Sequence, residues 1–546
     1  MTKKTFMYGA VILSVAGVIS KILGAFFRIP LANLIGAEGM GYYQAVYPVY
    51  TLLLTVSIAG FPVAISRMVS ERIAFDDYYG AHRVFRISLV VMTVLGVILF
   101  AGLFVGADAI IGNVKTLSGA AYAMRAISPA LLFVTIMSAY MGYFQGMRNM
   151  RPSAAVQVIE QLFRVIVGLS LAYFLVSMGK AHAAAGAMFG ATAGAIAGFI
   201  LILLIYIGVV RKRSFHDRIA ESRRAFKGKR QSAGRILYLL FAISIPITIG
   251  SIIMPIMSNI DLVIVANRLS ATGWDPEQVR EMYGQLTGMA APLVNLPQVI
   301  TQAIAISLVP TIVDAYKTGD MPFLRQNVVL SVRTTLLLGL PCAVGLMALA
   351  EPIMKLLYPA QLEDAVAAAP SLVILSAGIV FLMSIQALTG VLQGVERQVV
   401  PVINLFIGAV CKAVITYVLT GIPSVNVRGA ALGTVVAYIV ATILNLRAVK
   451  KYTGAVFDWK KTLLRPLLSA LVMGGVVIAV FHVLSLVCGN TISTLIAVMM
   501  GGIAYIIMIF VTRSVTEEEL ALFPKGESLV KIYRKVLTSA LKNGRM

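Results

Sequence analysis

Charge is scarce in this chain: only 13% of its 546 residues are Asp, Glu, Lys or Arg, and acids number 23 against 46 bases. Soluble domains carry about 25% charged residues, so an ordinary soluble fold is excluded. With 59% hydrophobic residues and a mean hydropathy of +0.89, the chain reads as a polytopic membrane protein. Cysteine is nearly absent. Cys342, Cys411 and Cys488 fall in or beside apolar segments, and an odd number so placed argues against a disulfide framework. Four scattered histidines suggest no zinc site. No GxxxxGK[ST] run is present, so no ATPase is expected, and HExxH and a convincing nucleophile elbow are missing too. No outward loop is long enough for a catalytic domain. These absences predict a protein that is not an enzyme and uses no cofactor. The net charge of +23 would suggest nucleic acid in a soluble protein, but here bases must be read by position, because cytoplasmic loops collect them.

A helix needs about 20 apolar residues to cross a bilayer. Fourteen apolar runs lie near 5–35, 41–66, 84–107, 119–146, 152–177, 183–210, 236–267, 283–315, 327–350, 366–394, 399–421, 428–449, 463–487 and 491–512. The stretch 351–370 breaks the pattern and is where the count is loosest. Lys3 and Lys4 precede the first run without a small-residue cleavage pattern, which reads as a retained first helix. The loops alternate in charge. One set holds Arg67/Arg72/Arg83/Arg86, Arg148/Arg151, the 211–235 stretch, Lys317/Arg325, Arg397 and Arg447/Lys450/Lys451/Lys460/Lys461; the other holds Lys115, Lys180, Arg268, Arg280, Lys355 and Arg428. That alternation predicts that both termini are cytoplasmic. The loop 211–235 has ten bases and two acids. It reads as a topology anchor touching anionic lipid headgroups, the alternative being a specific lipid-pyrophosphate or partner site. The tail 514–546 opens on TEEEL, and its LVKIYRKVLTSALK run has helical spacing suited to the inner surface.

The chain also repeats itself. Gln145-Gly146 answers Gln393-Gly394, Pro152 answers Pro401 with one gap, Arg164 answers Lys412, and Gly186 and Gly190 answer Gly429 and Gly433. Six helices per copy is an even number, so the second copy starts on the same side as the first. This predicts an all-α fold of two six-helix lobes related by an axis along the membrane normal, with two helices appended. The expected divisions are 1–210, a basic linker 211–235, 236–450, the appended helices over 451–513, and the tail 514–546. Glycines 186, 190, 194 and 198 recur every four residues and read as helix packing.

Ionisable groups inside the spans are costly and mark function. Lys21 and Arg28 in SKILGAFFRIP are two helical turns apart and share a face. Together they predict a cationic wall for phosphate or pyrophosphate, Arg supplying a bidentate fork and Lys a point charge. Arg125, Arg164 and Lys412 are further candidates for anion binding. The acids are Glu38, Glu160 and Asp261. Glu160 and Arg164 are placed to pair along one helix. Asp261 either pairs with Arg28 or Lys21 or binds a coupling cation, sodium or a proton.

SKILGAFFRIPLANLIGAEGMGYYQAVYP, SIAGFPVAISRMVSERIA, YFQGMRNMRPSA and YVLTGIPSVNVRGAALGTVVA resemble the multidrug/oligosaccharidyl-lipid/polysaccharide exporter superfamily. The nearest branch is the stage V sporulation protein B and lipid II flippase group of Gram-positive bacteria. The resemblance covers about residues 1–513 and implies fourteen helices in two lobes in the bacterial cytoplasmic membrane. It also implies export of undecaprenyl-diphosphate-linked saccharides, foremost the peptidoglycan precursor lipid II, for wall or spore-cortex synthesis, with cell-wall synthesis proteins as partners. Lys21 stands at the arginine of the flippases' SRxLG motif, and Arg28 lies one position from their second helix-1 arginine. Their cavity arginines on helices 2 and 8 have no counterpart in Leu52–Thr55 or Gln285–Gly288.

Overall fold

In lipid every backbone polar group must be satisfied within the chain, and an apolar run achieves that as a helix. The computed structural model describes residues 3–112, 117, 119–225 and 231–515, and these form helices joined by turns, with no strand. The expected amphipathic tail from 516 onward, Lys115 and the middle of the basic linker lie outside the described residues.

Two compact units divide the chain. The first comprises 1–289 with 420–427. It contains α1 (Lys3–Ile58), α2 (Phe61–Ile73), α3 (Tyr78–Val105), α4 (Ala107–Gly112), α5 (Ala120–Gly146), α6 (Arg151–Leu175), α7 (Lys180–Val210), α8 (Arg213–Ala225), α9 (Ala233–Ala271) and α10 (Pro276–Gly284). The second comprises 290–419 with 428–546. Its helices are α11 (Ala291–Thr318), α12 (Met321–Ala348), α13 (Ala350–Leu357), α14 (Leu362–Ala377), α15 (Ile379–Gly394), α16 (Val399–Thr420), α17 (Arg428–Thr453), α18 (Arg465–Ser485) and α19 (Asn490–Val511). The stretch 236–289, which the repeat pairs with the second lobe, packs within the first compact unit.

Among the described residues eleven helical stretches are long and apolar enough to span a membrane, or twelve if the bent pair α14–α15 counts as one. One of the eleven, Val15–Ile73, is 59 residues long. It takes in most of the first apolar run and all of the second, with α1 broken between them at Gly36 (φ 69, ψ −179). Helix α11, with 28 residues, has the length of a further crossing. The loose region near 351–370 resolves into the short α13 and the first turns of α14.

The internal repeat is visible in backbone detail. Helix α5 ends with Met147 N–H donating to Tyr143 O and Asn149 N–H to Phe144 O, with Arg148 at φ 58. Helix α15 ends the same way: Val395 donates to Val391 O, Arg397 to Leu392 O, and Glu396 sits at φ 62. Gly146 abuts Val69 of α2, and Gly394 abuts Ile312 of α11, in each case where a Cβ would not fit. The turn after α2 places Asp77 as a cap accepting from Gly80 N–H at 2.8 Å. Its counterpart Asp320 accepts from Phe323 N–H at 3.0 Å.

The glycine series on α7 lets it approach α6 backbone to backbone. A Cβ on Gly190 would lie 2.5 Å from Gly168 Cα and 2.6 Å from the Arg164 carbonyl oxygen. In the second unit a Cβ on Gly433 would lie 3.2 Å from the Lys412 carbonyl oxygen. Gly190→Val is expected to cost about 1–3 kcal/mol through overpacking, read as a lowered thermal midpoint in detergent. An unchanged midpoint would show that the crossing is not this tight.

Candidate functional site

The break at Gly36 decides where the first helix puts its polar groups. Beyond it the chain folds back, so that the Arg28 guanidinium lies 5.3 Å from the ring centroid of Tyr47. Phe27 and Tyr43 face each other at 6.3 Å between centroids. Tyr43, Tyr47 and Tyr50 follow one another at i, i+4 and i+7 and so line one face. Their rings form a ladder, with centroids 6.0 Å and 6.4 Å apart. Helix α6 contributes Glu160 and Arg164, one turn apart and 3.6 Å from each other. Arg164 interacts electrostatically with all three tyrosine hydroxyls as well as with Glu160.

Among the described residues the cluster therefore holds two guanidinium groups and one carboxylate, Glu160. Among the described residues no acid lies within ion-pair distance of Arg28. Cation–π contact of the kind Arg28 makes with Tyr47 holds a guanidinium without neutralising it. Hydrogen bonding is also incomplete. Tyr50 Oη, Arg164 Nε and Gln157 Oε1 are buried and have no hydrogen-bond partner among the described residues. Each unmet buried group costs about 1–3 kcal/mol, so three together mark a place prepared for water or a polar ligand. Excess positive charge, a planar donor fork and tyrosine rings suit an anion attached to a hydroxylated or ring-bearing group.

The other predicted residues lie elsewhere. Lys21 is exposed, next to Ser20, whose hydroxyl donates to Gln157 O at 3.1 Å. Glu38 is clasped by Arg280 at 3.0 Å and Lys180 at 3.4 Å, with the Arg280 guanidinium stacked 5.1 Å from the Tyr42 ring. This carboxylate is thus already held by two cations. Around the clasp, Gly41 lies against the Arg280 backbone and Gly284 against Ala37. Arg125 pairs with Asp108 at the exposed α4–α5 junction. Asp261 on α9 is half-buried and interacts with Tyr283. Two residues before it, Asn259 donates to Pro48 O at 2.8 Å. Lys412 is buried in the second unit on α16. The chain thus brings Arg28, Arg164 and Glu160 into one cluster, and does not bring Arg125 or Glu38 into it. Sequence reasoning missed the tyrosines. Their i, i+4, i+7 spacing in YYQAVYPVY was the available signal.

Sequence comparison finds the Polysaccharide biosynthesis protein family model over residues 6–316 and the MatE model over 287–418. Stage V sporulation protein B of Bacillus subtilis (strain 168) is 31% identical over 457 residues, 83% of this chain and 85% of that protein. Lipid II flippase MurJ of the same organism is 29% identical over 476 residues, 85% of this chain and 86% of that protein. Among solved structures, a lipid II flippase MurJ in an inward closed conformation superposes with a TM-score of 0.68 at 17% identity, covering 92% of this chain and 98% of that one. An inward-facing multidrug resistance MATE family transporter gives 0.67 at 16% identity, covering 80% and 94%.

Proposed function

The chain belongs to the polysaccharide biosynthesis protein family, in the branch of the multidrug/oligosaccharidyl-lipid/polysaccharide exporter superfamily that contains stage V sporulation protein B and MurJ, and from that premise we propose what it carries. It is a multi-pass membrane protein of flippase or exporter type. Its proposed cargo is an undecaprenyl-diphosphate-linked saccharide, with lipid II as the first choice. It moves that cargo from the inner to the outer leaflet of the bacterial cytoplasmic membrane by alternating access.

The observation that carries this reading is the Arg28–Arg164 cluster with its tyrosine ladder. A pyrophosphate is a compact anion with oxygens spaced for guanidinium forks. The orphaned Arg164 Nε and Tyr50 hydroxyl are donors without acceptors, and a phosphoryl oxygen would supply one. Tyrosine faces suit the sugar that follows. A multidrug exporter is the second reading, favoured by the MatE match. An organic-cation drug would meet unneutralised Arg28, and like charges repel, so the anionic cargo fits better. Without a nucleotide-binding motif, the driving force in this proposal is an ion gradient or the membrane potential. Asp261, which interacts electrostatically with Tyr283, is the proposed point of ion coupling.

The test is outward exposure of lipid II in cells whose only candidate flippase is this chain. Exposure that depends on the chain is expected. Protein present in the membrane without exposure would reassign the cargo to another lipid-linked glycan. In the same cells Asp261→Asn should change the dependence of exposure on membrane potential or pH. An unaltered dependence would remove Asp261 from coupling.

A further inference from the structure

The basic linker is a built element. Helix α8 packs against the start of α3 and the end of α7 within the first unit. At its far end Ser222 is buried, accepting from Tyr79 N–H at 3.0 Å and approaching Asp77 Oδ1 at 3.5 Å. Arg223 stacks 5.4 Å from the Tyr79 ring, and Arg218 5.8 Å from the Tyr78 ring. Phe215 meets His82 edge-on at 5.7 Å.

Beneath the start of this helix is a cavity of about 190 Å³. Its walls are apolar, formed by side chains that include Ile73, Tyr143, Met147 and Ile219. Its cationic groups, Lys212 and Arg218, come from one stretch of chain together with Ser214, and the Tyr78 and Tyr143 side chains also line it. Among the described residues no carboxylate pairs with Lys212 or Arg218. An apolar pocket with two unpaired cations and a hydroxyl at one side is complementary to an amphiphile with an anionic end.

We propose that this cavity binds an anionic glycerophospholipid, its phosphate between Lys212 and Arg218 and the start of an acyl chain against Tyr143, Met147 and Ile219. The linker then acts as a receptor for a particular lipid, beyond the diffuse attraction of ten bases for a charged surface. This site is separate from the Arg28–Arg164 cluster, and its test requires no transport.

Full-length protein is purified in detergent and loaded with phosphatidylglycerol or phosphatidylcholine, and lipid retention is followed by native mass spectrometry. Retention of one phosphatidylglycerol under conditions that strip phosphatidylcholine is expected. Lys212→Gln with Arg218→Gln should weaken retention about thirtyfold, the combined effect of two basic groups at a lipid surface. Met147→Trp should abolish retention by filling the pocket while both cations stay in place. Arg213→Gln with Arg224→Gln removes the same charge from the same basic stretch outside the cavity, and should leave retention near wild type. Equal losses in the two double variants would overturn the proposal in favour of general surface attraction. Displacement of the lipid by millimolar inorganic phosphate would overturn it too, because the site would then hold a free anion.

Discussion

Arg28→Ala is expected to lower outward exposure of the lipid-linked saccharide by about 10- to 100-fold, with the protein still present in the membrane. A hydrogen bond to a charged group contributes about 1.5–3 kcal/mol, and each 1.4 kcal/mol is a factor of ten. Arg28 makes no ion pair among the described residues, and its visible contact is the Tyr47 ring. Its removal therefore leaves no buried carboxylate behind, so folding should be spared while the anion contact is lost. Arg28→Lys separates charge from geometry: the positive charge stays and the fork goes. Intermediate exposure is expected for the lysine variant. Wild-type exposure from the alanine variant, measured at equal membrane abundance, would remove Arg28 from cargo binding.

The second large effect concerns Arg164. Its neighbour Glu160 sits 3.6 Å away with its side chain only 23% exposed. Removing the arginine strands that carboxylate, and breaking a buried pair from one side costs about 3 kcal/mol or more. Arg164→Ala and Glu160→Gln should accordingly each lower the unfolding midpoint, because each leaves the other charge buried without its counter-charge. The double variant Arg164→Leu/Glu160→Leu should recover most of the lost stability, since an apolar pair carries no stranded charge. It should nevertheless fail in transport. A stable but inactive double variant places Arg164 in function; a stable and active one makes the pair structural. If Arg164→Ala unfolds at the wild-type midpoint, the carboxylate has found another partner and the cluster as described is wrong.

Much of this molecule is written locally. Apolar runs of crossing length, the QG turn that ends α5 and α15, and the four-residue glycine period on α7 depend on neighbours close in sequence, so the helices and the repeat could be read directly. The i,i+4 pairing of Glu160 with Arg164 could be read in the same way. The contacts that complete the site join distant segments. Arg28 meets Tyr47 because the chain folds back at Gly36, and nothing in a periodic hydropathy pattern reports the angle of that bend. Glu38 meets Arg280 across 242 residues, so a carboxylate that looks free in sequence is in fact clasped. Arg125 lies within an apolar run, yet its partner Asp108 is at the exposed junction of two helices. Exposure of Lys21 was equally hidden, since two residues on one helix face differ in burial once a neighbouring helix covers only part of it.

The broken first helix has a consequence for how the chain enters the membrane at all. At 1.5 Å per residue, 56 residues in one rod would run to about 84 Å, nearly three hydrocarbon thicknesses. A rod of that length could be released into lipid only by leaving much of itself in water. Gly36, with φ 69 and ψ −179, occupies backbone space essentially closed to any residue with a side chain. One glycine thus turns a single over-long segment into two insertable ones. The sidedness of every later loop, and so the alternation of charge along the chain, counts from that residue.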